Sequence, residues 1–407
     1  MRFSVINLGC KVNRVESDSY ENFLTSSGAQ KVSPEYADLI IINTCTVTAE
    51  AEKKTRKVVR SALRGNPSAE LLVTGCASAI SANEFLEMDT RVEVVPKEKV
   101  LHHLHGLIDS ATSHICLAGS THARVGVKVQ DGCNNACTYC IVHVARGVAK
   151  SRPSEQIISD CVSLAQSGVK EIVLSGINLG TYDLDGLNLS ELLRILLEET
   201  SNITDSAGRS PRFRVSSIEP RDVDESLIEL LATSKGRVCR HLHLPLQSGS
   251  NKVLHEMARP YDAKFFSELI CQIRSAVPTI SISTDVIAGF PGETDEDFQQ
   301  TIALSKASKF SKMHVFPYSM RAGTPAALRK DQIESAVKAA RATELRELSA
   351  KLREEDYLSR CNTSERAVVE ICGRACTESY YEVEVSKTYS PGNFVEVLLK
   401  PELRTVD

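Results

Sequence analysis

The sequence predicts an α/β protein in three parts: an N-terminal parallel-sheet α/β domain, an incomplete barrel of six β/α units, and a small C-terminal β module. Three observations carry this. Apolar strand-like runs alternate with helix-like stretches over the first hundred residues, six further β/α units follow, and the last forty residues switch to short alternating segments broken by Gly373 and Pro391-Gly392.

In the first part the strands are expected at 3–7, 39–42, 71–74 and 92–95, each followed by a helical pattern, which means a parallel sheet. The stretch around Ser110 to Ala123 is less regular. The second series is expected at 125–129, 171–174, 213–216, 240–244, 282–287 and 314–316, two units short of a closed barrel. From Gln332 to Arg360 the chain is rich in Ala, Glu, Lys and Leu without Pro or Gly, which predicts a helix or helix pair. Segments 366–371, 382–385 and 394–399 predict antiparallel strands. The domain boundaries expected from these patterns are 1–115, 120–335, 336–362 for the helical connection, and 363–407.

The 407 residues carry a net charge of −4, with 42% apolar and 25% charged residues, which excludes a disordered, fibrous or broadly cationic chain. No apolar run approaches the roughly 18 residues of a membrane span, and Met1 to Cys10 does not have the form of a secretory signal, so a cytoplasmic, non-membrane protein is expected. In that reducing compartment the 13 cysteines are read as packing, metal-binding or catalytic residues rather than disulfides.

Cys10, Cys45 and Cys76 each follow an apolar strand, in the wording Leu8-Gly9-Cys10, Asn43-Thr44-Cys45 and Thr74-Gly75-Cys76. The carboxyl ends of parallel strands share one edge, so cysteines far apart in sequence are expected to converge there. Single cysteines at such places are commonly just small buried residues. Three thiolates leave a zinc site incomplete but suit a cubane iron–sulfur cluster with one open iron. After Cys45, the residues Lys53, Arg56, Lys57, Arg60 and Arg64 recur at helical spacing. This is either a solvated face or a phosphate-binding stripe.

The second cysteine set is compact. Asp131-Gly132-Cys133-Asn134-Asn135-Ala136-Cys137-Thr138-Tyr139-Cys140 holds a C-x3-C-x2-C triplet, and at about 3% cysteine such a triplet arises by chance on the order of 0.01 times in this length. Cys133, Cys137 and Cys140 fit a [4Fe-4S] cluster with an open iron, or a zinc site completed by His143. Gly176, Gly180, Gly249, Gly289 and Gly292 sit at predicted strand ends, where a cofactor or a plain turn accounts for glycine. Glu219, Gln247 and Asp285 occupy similar ends.

The triplet, with Tyr139 just before its last cysteine, resembles the radical S-adenosylmethionine (radical SAM) enzymes. The resemblance implies an incomplete six-strand barrel and a cluster whose open iron binds SAM and cleaves it to a 5′-deoxyadenosyl radical. Within that group, Asn7-Leu8-Gly9-Cys10-Lys11-Val12-Asn13, the cysteine segments at 45 and 76, His241-Leu242-His243-Leu244-Pro245-Leu246-Gln247-Ser248-Gly249 and Asp285-Val286-Ile287-Ala288-Gly289-Phe290-Pro291-Gly292-Glu293-Thr294 resemble the methylthiotransferases. The wording is most similar to those acting on N6-threonylcarbamoyladenosine beside the tRNA anticodon. The types acting on isopentenyladenosine in tRNA or on an aspartate of a ribosomal protein remain alternatives, as does an iron–sulfur, redox-sensing RNA-binding protein without turnover.

The resemblance implies two [4Fe-4S] clusters, one on Cys10, Cys45 and Cys76 and one on Cys133, Cys137 and Cys140, with SAM used both as methyl donor and as radical source. Tyr139, Gly176, Glu219, Gln247 and Gly289 would contact the cofactor, and the Lys53–Arg64 stripe would contact RNA. No other side chain is assigned a catalytic role. The expected partners are tRNA, an external electron donor and a sulfur source, and the expected state is a monomer. Two departures stand out. His143 replaces a proline usual in the family, and residues 341–407, which resemble a shortened RNA-binding TRAM module, carry 10 basic and 13 acidic residues. The His102-His103-Leu104-His105 run is expected on a helix surface, and Cys372 and Cys376 are expected to be packing residues.

Overall fold

A computed structural model describes residues 1–108 and 123–404; Cys116 and the expected boundary between the first two domains lie outside the described residues. The chain divides into two compact units, and the division is not linear in sequence. Residues 131–135 and 140–150 group with the N-terminal residues, whereas 123–130, 136–139 and 151–404 form the second unit.

In the N-terminal unit, β1 (Arg2–Asn7), α1 (Lys11–Ser26), β2 (Gln30–Lys31), β3 (Leu39–Thr44), α2 (Ala49–Gly65), β4 (Glu70–Gly75), α3 (Cys76–Ile80), α4 (Ala82–Leu86), β5 (Val92–Val94) and α5 (Val100–Leu107) build a parallel sheet of order β2-β1-β3-β4-β5. The central strand β3 is buried on both faces. Ile40 and Ile42 pack towards Val59 and Leu63 of α2, while Leu39 and Ile41 pack towards Phe23 and Leu24 of α1 and Leu104 of α5, following the period of two along a strand. The two-residue edge strand β2 is too short to carry a sequence signal.

After β6 (Arg124–Lys128) and β7 (Gln130–Asp131) comes the cysteine triplet, then α6 (Val142–Arg146) and β8 (Lys150–Ser151). In the second unit, α7 (Ser154–Gln166) leads to β9 (Glu171–Ser175), the hairpin β10 (Asp183–Leu184) and β11 (Leu187–Asn188), and α8 (Leu189–Glu199). Next come β12 (Arg212–Val215), α9 (Glu225–Thr233), β13 (His241–His243), α10 (Asn251–Glu256), α11 (Ala263–Ala276), β14 (Ser281–Ala288), α12 (Asp295–Ser308) and β15 (Lys312–Pro317).

The strands β6-β9-β12 and β13-β14-β15 are two parallel triples, joined by the parallel bridges Phe213 with Val238 and Ser217 with His243. This is the six-strand partial barrel that the strand count predicts. The connection at 332–360 is one helix, α13 (Ser335–Arg360), and the C-terminal strands β16 (Ser364–Ile371), β17 (Arg374–Thr377), β18 (Glu382–Glu384) and β19 (Phe394–Leu398) form an antiparallel sheet of order β18-β17-β16-β19.

The amino ends of three barrel strands carry a buried charge cluster. Register sets Arg124 and Arg212 opposite Glu171, and Arg214 lies one step along the same face. Glu171 accepts from Arg212 Nε at 2.7 Å and from Arg214 Nε at 2.6 Å, with all three side chains at or near 0% exposure. The same arginines donate onward to the backbone carbonyls of Arg366, Cys376, Thr377 and Glu378. The C-terminal sheet is therefore fixed to the amino end of the barrel by charge-assisted hydrogen bonds.

Candidate metal and cofactor site

Each N-terminal cysteine sits where a strand gives way to a helix or turn. Cys10 is the N-cap of α1, Cys45 follows β3, and Cys76 opens α3. A buried polar net holds these turns. Asn13 Nδ2 donates to Asn43 Oδ1 at 2.7 Å and to Thr44 O at 3.0 Å, and Thr44 Oγ1 bonds Thr74 O at 2.6 Å and accepts from Ala77 N at 3.1 Å. Gly75 has φ +96°, and a Cβ there would lie 2.4 Å from Asn43 Oδ1, so only glycine lets β4 turn into Cys76.

The thiols of Cys10, Cys45 and Cys76 lie near enough to influence one another electrostatically. Burial pushes Cys76 up to about 11, and the Cys10 and Cys45 thiols push it the same way; Cys45 is also raised, chiefly by burial and further by Cys10. Cys10 Sγ donates to Asn13 Oδ1 at 3.3 Å. Arg146, a residue that sequence reading passes over, donates from Nε to Cys76 Sγ at 3.2 Å. Its other nitrogens reach Glu16 at 3.1 Å, Asp131 at 2.8 Å and Asn13 Oδ1 at 2.9 Å. Burial disfavours the Arg146 charge, but Glu16, Cys76 and Asp131 outweigh that, and the guanidinium stays charged.

Arg146 also explains why 131–135 and 140–150 group with the N-terminal residues: it closes α6, which packs against α3. Around it the loop is braced. Cys133 N donates to Gly147 O at 3.1 Å, Asn134 Oδ1 accepts from Ala149 N at 2.9 Å, and Gly132, at φ +70°, passes so close to Val148 O that a Cβ would lie 1.9 Å from it. Cys133 Sγ accepts from Asn135 N and Cys140 Sγ from Val142 N, each at 3.4 Å. His143 lies in the first turn of α6, and its Nδ1 is buried without a hydrogen-bond partner among the described residues.

In the second unit, Cys137 Sγ accepts from Arg259 Nη1 at 3.2 Å. Arg259, with a side chain 2% exposed, is also bonded to Glu219 and to Tyr261 Oη, and Tyr261 Oη bonds Pro245 O at 2.5 Å. Thr138 is tied to the end of α10 through Met257 O at 3.1 Å and Glu256 O at 2.8 Å. Tyr139 packs against Val253, Met257, Ile287, Phe290, Tyr318 and Ala326.

The remaining sequence candidates sit at strand ends in the same unit. Gly176 follows β9 in a turn whose Ile177 and Asn178 amides both donate to Gln130 Oε1 at 3.0 Å. Gly289 follows β14 at φ +73°, its amide held by Glu293 Oε2 at 2.8 Å. Gln247 is held at φ +65°, a strained position for a non-glycine residue, by pairing with Asp285 O and Ile287 N.

On α2, Lys53, Lys57, Arg60 and Arg64 are exposed, whereas Arg56 is half-buried and paired with Glu52 at 3.8 Å and Glu84 at 3.4 Å. Of the His102–His105 run on α5, His103 pairs with Glu93 at 3.3 Å and His105 bonds the backbone of Leu101 at 2.7 Å, so these rings do not form one metal site. No helix among the described residues is long and apolar enough to cross a membrane.

Residues 127–305 match the family model described as the radical SAM superfamily, and residues 2–96 match that of uncharacterized protein family UPF0004. The chain is 37% identical over 414 residues to the threonylcarbamoyladenosine tRNA methylthiotransferase MtaB of Bacillus subtilis, covering 97% of this chain and 89% of that protein. The chain belongs to the radical SAM methylthiotransferases. Another relative at 33% identity over 364 residues is the tRNA-2-methylthio-N(6)-dimethylallyladenosine synthase of Thermodesulfovibrio yellowstonii, with 85% and 82% coverage. The fold is shared with the radical SAM methyltransferase TsrM of Kitasatospora setae, at a TM-score of 0.57, 16% identity, and 80% and 75% coverage.

As a radical SAM methylthiotransferase the enzyme takes a [4Fe-4S] cluster and SAM, and the thiol chemistry of its cysteines suits the cluster. All six cysteines are free thiols, and N–H donors reach the sulfurs of Cys76, Cys133, Cys137 and Cys140. N–H donors aimed at sulfur stabilise the thiolate form and set a cluster's potential.

Proposed function

We propose that this enzyme methylthiolates C2 of N6-threonylcarbamoyladenosine at position 37 of tRNA, using two [4Fe-4S] clusters. The observation that carries the substrate is the likeness to MtaB of Bacillus subtilis along 97% of the chain, C-terminal sheet included. Two clusters are supported by two separate sets of three cysteines, each with one arginine donating to one of its sulfurs.

The cluster at Cys133, Cys137 and Cys140 would supply the electron that splits SAM into methionine and a 5′-deoxyadenosyl radical. The chain's own residues hold and orient. Cys10, Cys45 and Cys76 present three sulfurs for a second cluster, where sulfur for transfer would be carried. Arg146 fixes Cys76, and Arg259 fixes Cys137 while its other side holds the Glu219 carboxylate. The exposed cations of α2 offer phosphate contacts, and the electron donor and sulfur source come from outside the chain.

The reading is tested on anaerobically reconstituted protein. It expects about eight irons per chain. Cys133→Ala should abolish release of 5′-deoxyadenosine, while Cys10→Ala should retain release and lose methylthiolation. Four irons in the unsubstituted protein, or loss of SAM cleavage in Cys10→Ala with Cys133→Ala unaffected, would contradict it.

A further inference from the structure

Three side chains of the barrel form a constellation that the cysteine chemistry does not use. In the parallel pairing of β14 with β15, Asp285 stands directly opposite His314; in that of β13 with β14, His243 stands opposite Ser283, two residues before Asp285. A step of two along a strand returns to the same face, so His243, Asp285 and His314 project together. His243 Nε2 lies 3.3 Å from Asp285 Oδ1 and His314 Nδ1 lies 3.1 Å from it, and one ligand atom from each residue falls within 4.8 Å of the others.

The support behind this trio is that of a ligand set. Ser283 Oγ engages His243 Nδ1 at 2.9 Å, which fixes the ring and turns Nε2 towards Asp285. The same hydroxyl lies 3.0 Å from His241 Nε2, so the orienting group is itself held. A hydrogen bond on the far ring nitrogen is the usual partner of a metal-bound imidazole. Exposure rises across the set, from 8% for the His243 side chain through 28% for Asp285 to 44% for His314, which leaves one side of the trio open.

Two imidazoles and one carboxylate on one face, with open positions beside them, match the 2-His-1-carboxylate arrangement of first-row divalent metals; magnesium and calcium prefer all-oxygen sets. We propose that His243, Asp285 and His314 bind one late first-row divalent cation of the zinc or ferrous type, with the remaining coordination positions open to oxygen ligands. Its ligands include none of the six cysteines and come from three adjacent strands of the barrel. Its rival is a metal-free His-Asp-His hydrogen-bonded relay, which has the same contacts but no affinity for a cation.

The test uses full-length, cluster-loaded protein and zinc ion alone, without SAM or RNA, so its outcome is independent of the substrate reading. Calorimetric titration and metal analysis should find one zinc per chain beyond the cluster iron. His314→Gln and Asp285→Asn should each weaken binding at least about tenfold while iron content and visible absorption stay unchanged. His103→Gln, in the other histidine run, should bind as the parent does. Zinc-edge X-ray absorption should show nitrogen and oxygen neighbours only. No zinc uptake, uptake unaltered in both variants, or sulfur neighbours at zinc would overturn the proposal.

Discussion

Arg146 Nε lies 3.2 Å from Cys76 Sγ, with the guanidinium fully buried between Glu16 and Asp131. Six residues after Cys140 in the chain, it is thus one contact that ties the segment behind the Cys133–Cys140 triplet to Cys76. A buried ion pair contributes little over an apolar replacement of the whole pair, but removing one partner leaves a charge stranded. Arg146→Met should therefore lower the stability of the metal-free protein by about 3–5 kcal/mol in chemical denaturation. Arg146→Lys should recover part of that. A loss below about 1 kcal/mol in Arg146→Met would show that Glu16 and Asp131 find other partners.

Glu171 sets an acid limit on stability. Burial pulls its pKa upward, but Arg214, Arg212 and Arg124 together hold it well below the ordinary carboxylate range. With the folded pKa depressed, its contribution is complete above the unfolded value of about 4.3 and is lost progressively as pH falls below that. Between neutral pH and pH 5 this group should therefore leave the urea midpoint level, and below pH 4 the midpoint should drop. Glu171→Gln should lower the midpoint at pH 7 and flatten the acid slope. An unchanged slope would assign acid unfolding to other carboxylates.

The C-terminal sheet should behave as a part of the barrel's structure. Its carbonyls at Arg366, Cys376, Thr377 and Glu378 accept from Arg212 and Arg214, and Glu378 also pairs with Arg240 at 2.7 Å. Ending the chain at Arg360 strands these buried donors, so the melting temperature should fall by about 10 °C or more. A truncated chain that melts like the parent would show the sheet to be an independent appendage.

The α2 stripe is tested by charge reversal. Lys57→Glu with Arg60→Glu alters two exposed cations that make no ion pair among the described residues, so folding should be unaffected. tRNA affinity should fall, and the slope of log affinity against log salt should lessen by about one for each phosphate that is no longer neutralised. Equal affinity and equal slope would remove the stripe from the RNA interface.

Local pattern reveals some of this protein and hides the rest for a physical reason. Strand ends are legible because periodicity and glycines such as Gly75 mark them, and cysteines placed there stand out against a low cysteine background. Arg146 and Arg259 are not legible, because their sulfur partners lie 70 and 122 residues away and nothing local separates a buried arginine from a solvated one. Glu171 reads as the polar start of an apolar strand, and only the register with Arg124 and Arg212 makes it a buried charge. Of the five cations in the α2 stripe, spacing alone does not single out Arg56, whose partner Glu84 comes from another helix. The trio of His243, Asp285 and His314 likewise exists only once three strands are paired.

The most direct measurement is nucleoside mass spectrometry of purified tRNA after incubation with reconstituted enzyme, SAM, a sulfur source and a reductant. The substrate reading predicts conversion of N6-threonylcarbamoyladenosine to its 2-methylthio derivative, dependent on both Cys10 and Cys133. Methylthiolation of isopentenyladenosine with the threonylcarbamoyl nucleoside left unmodified would contradict it.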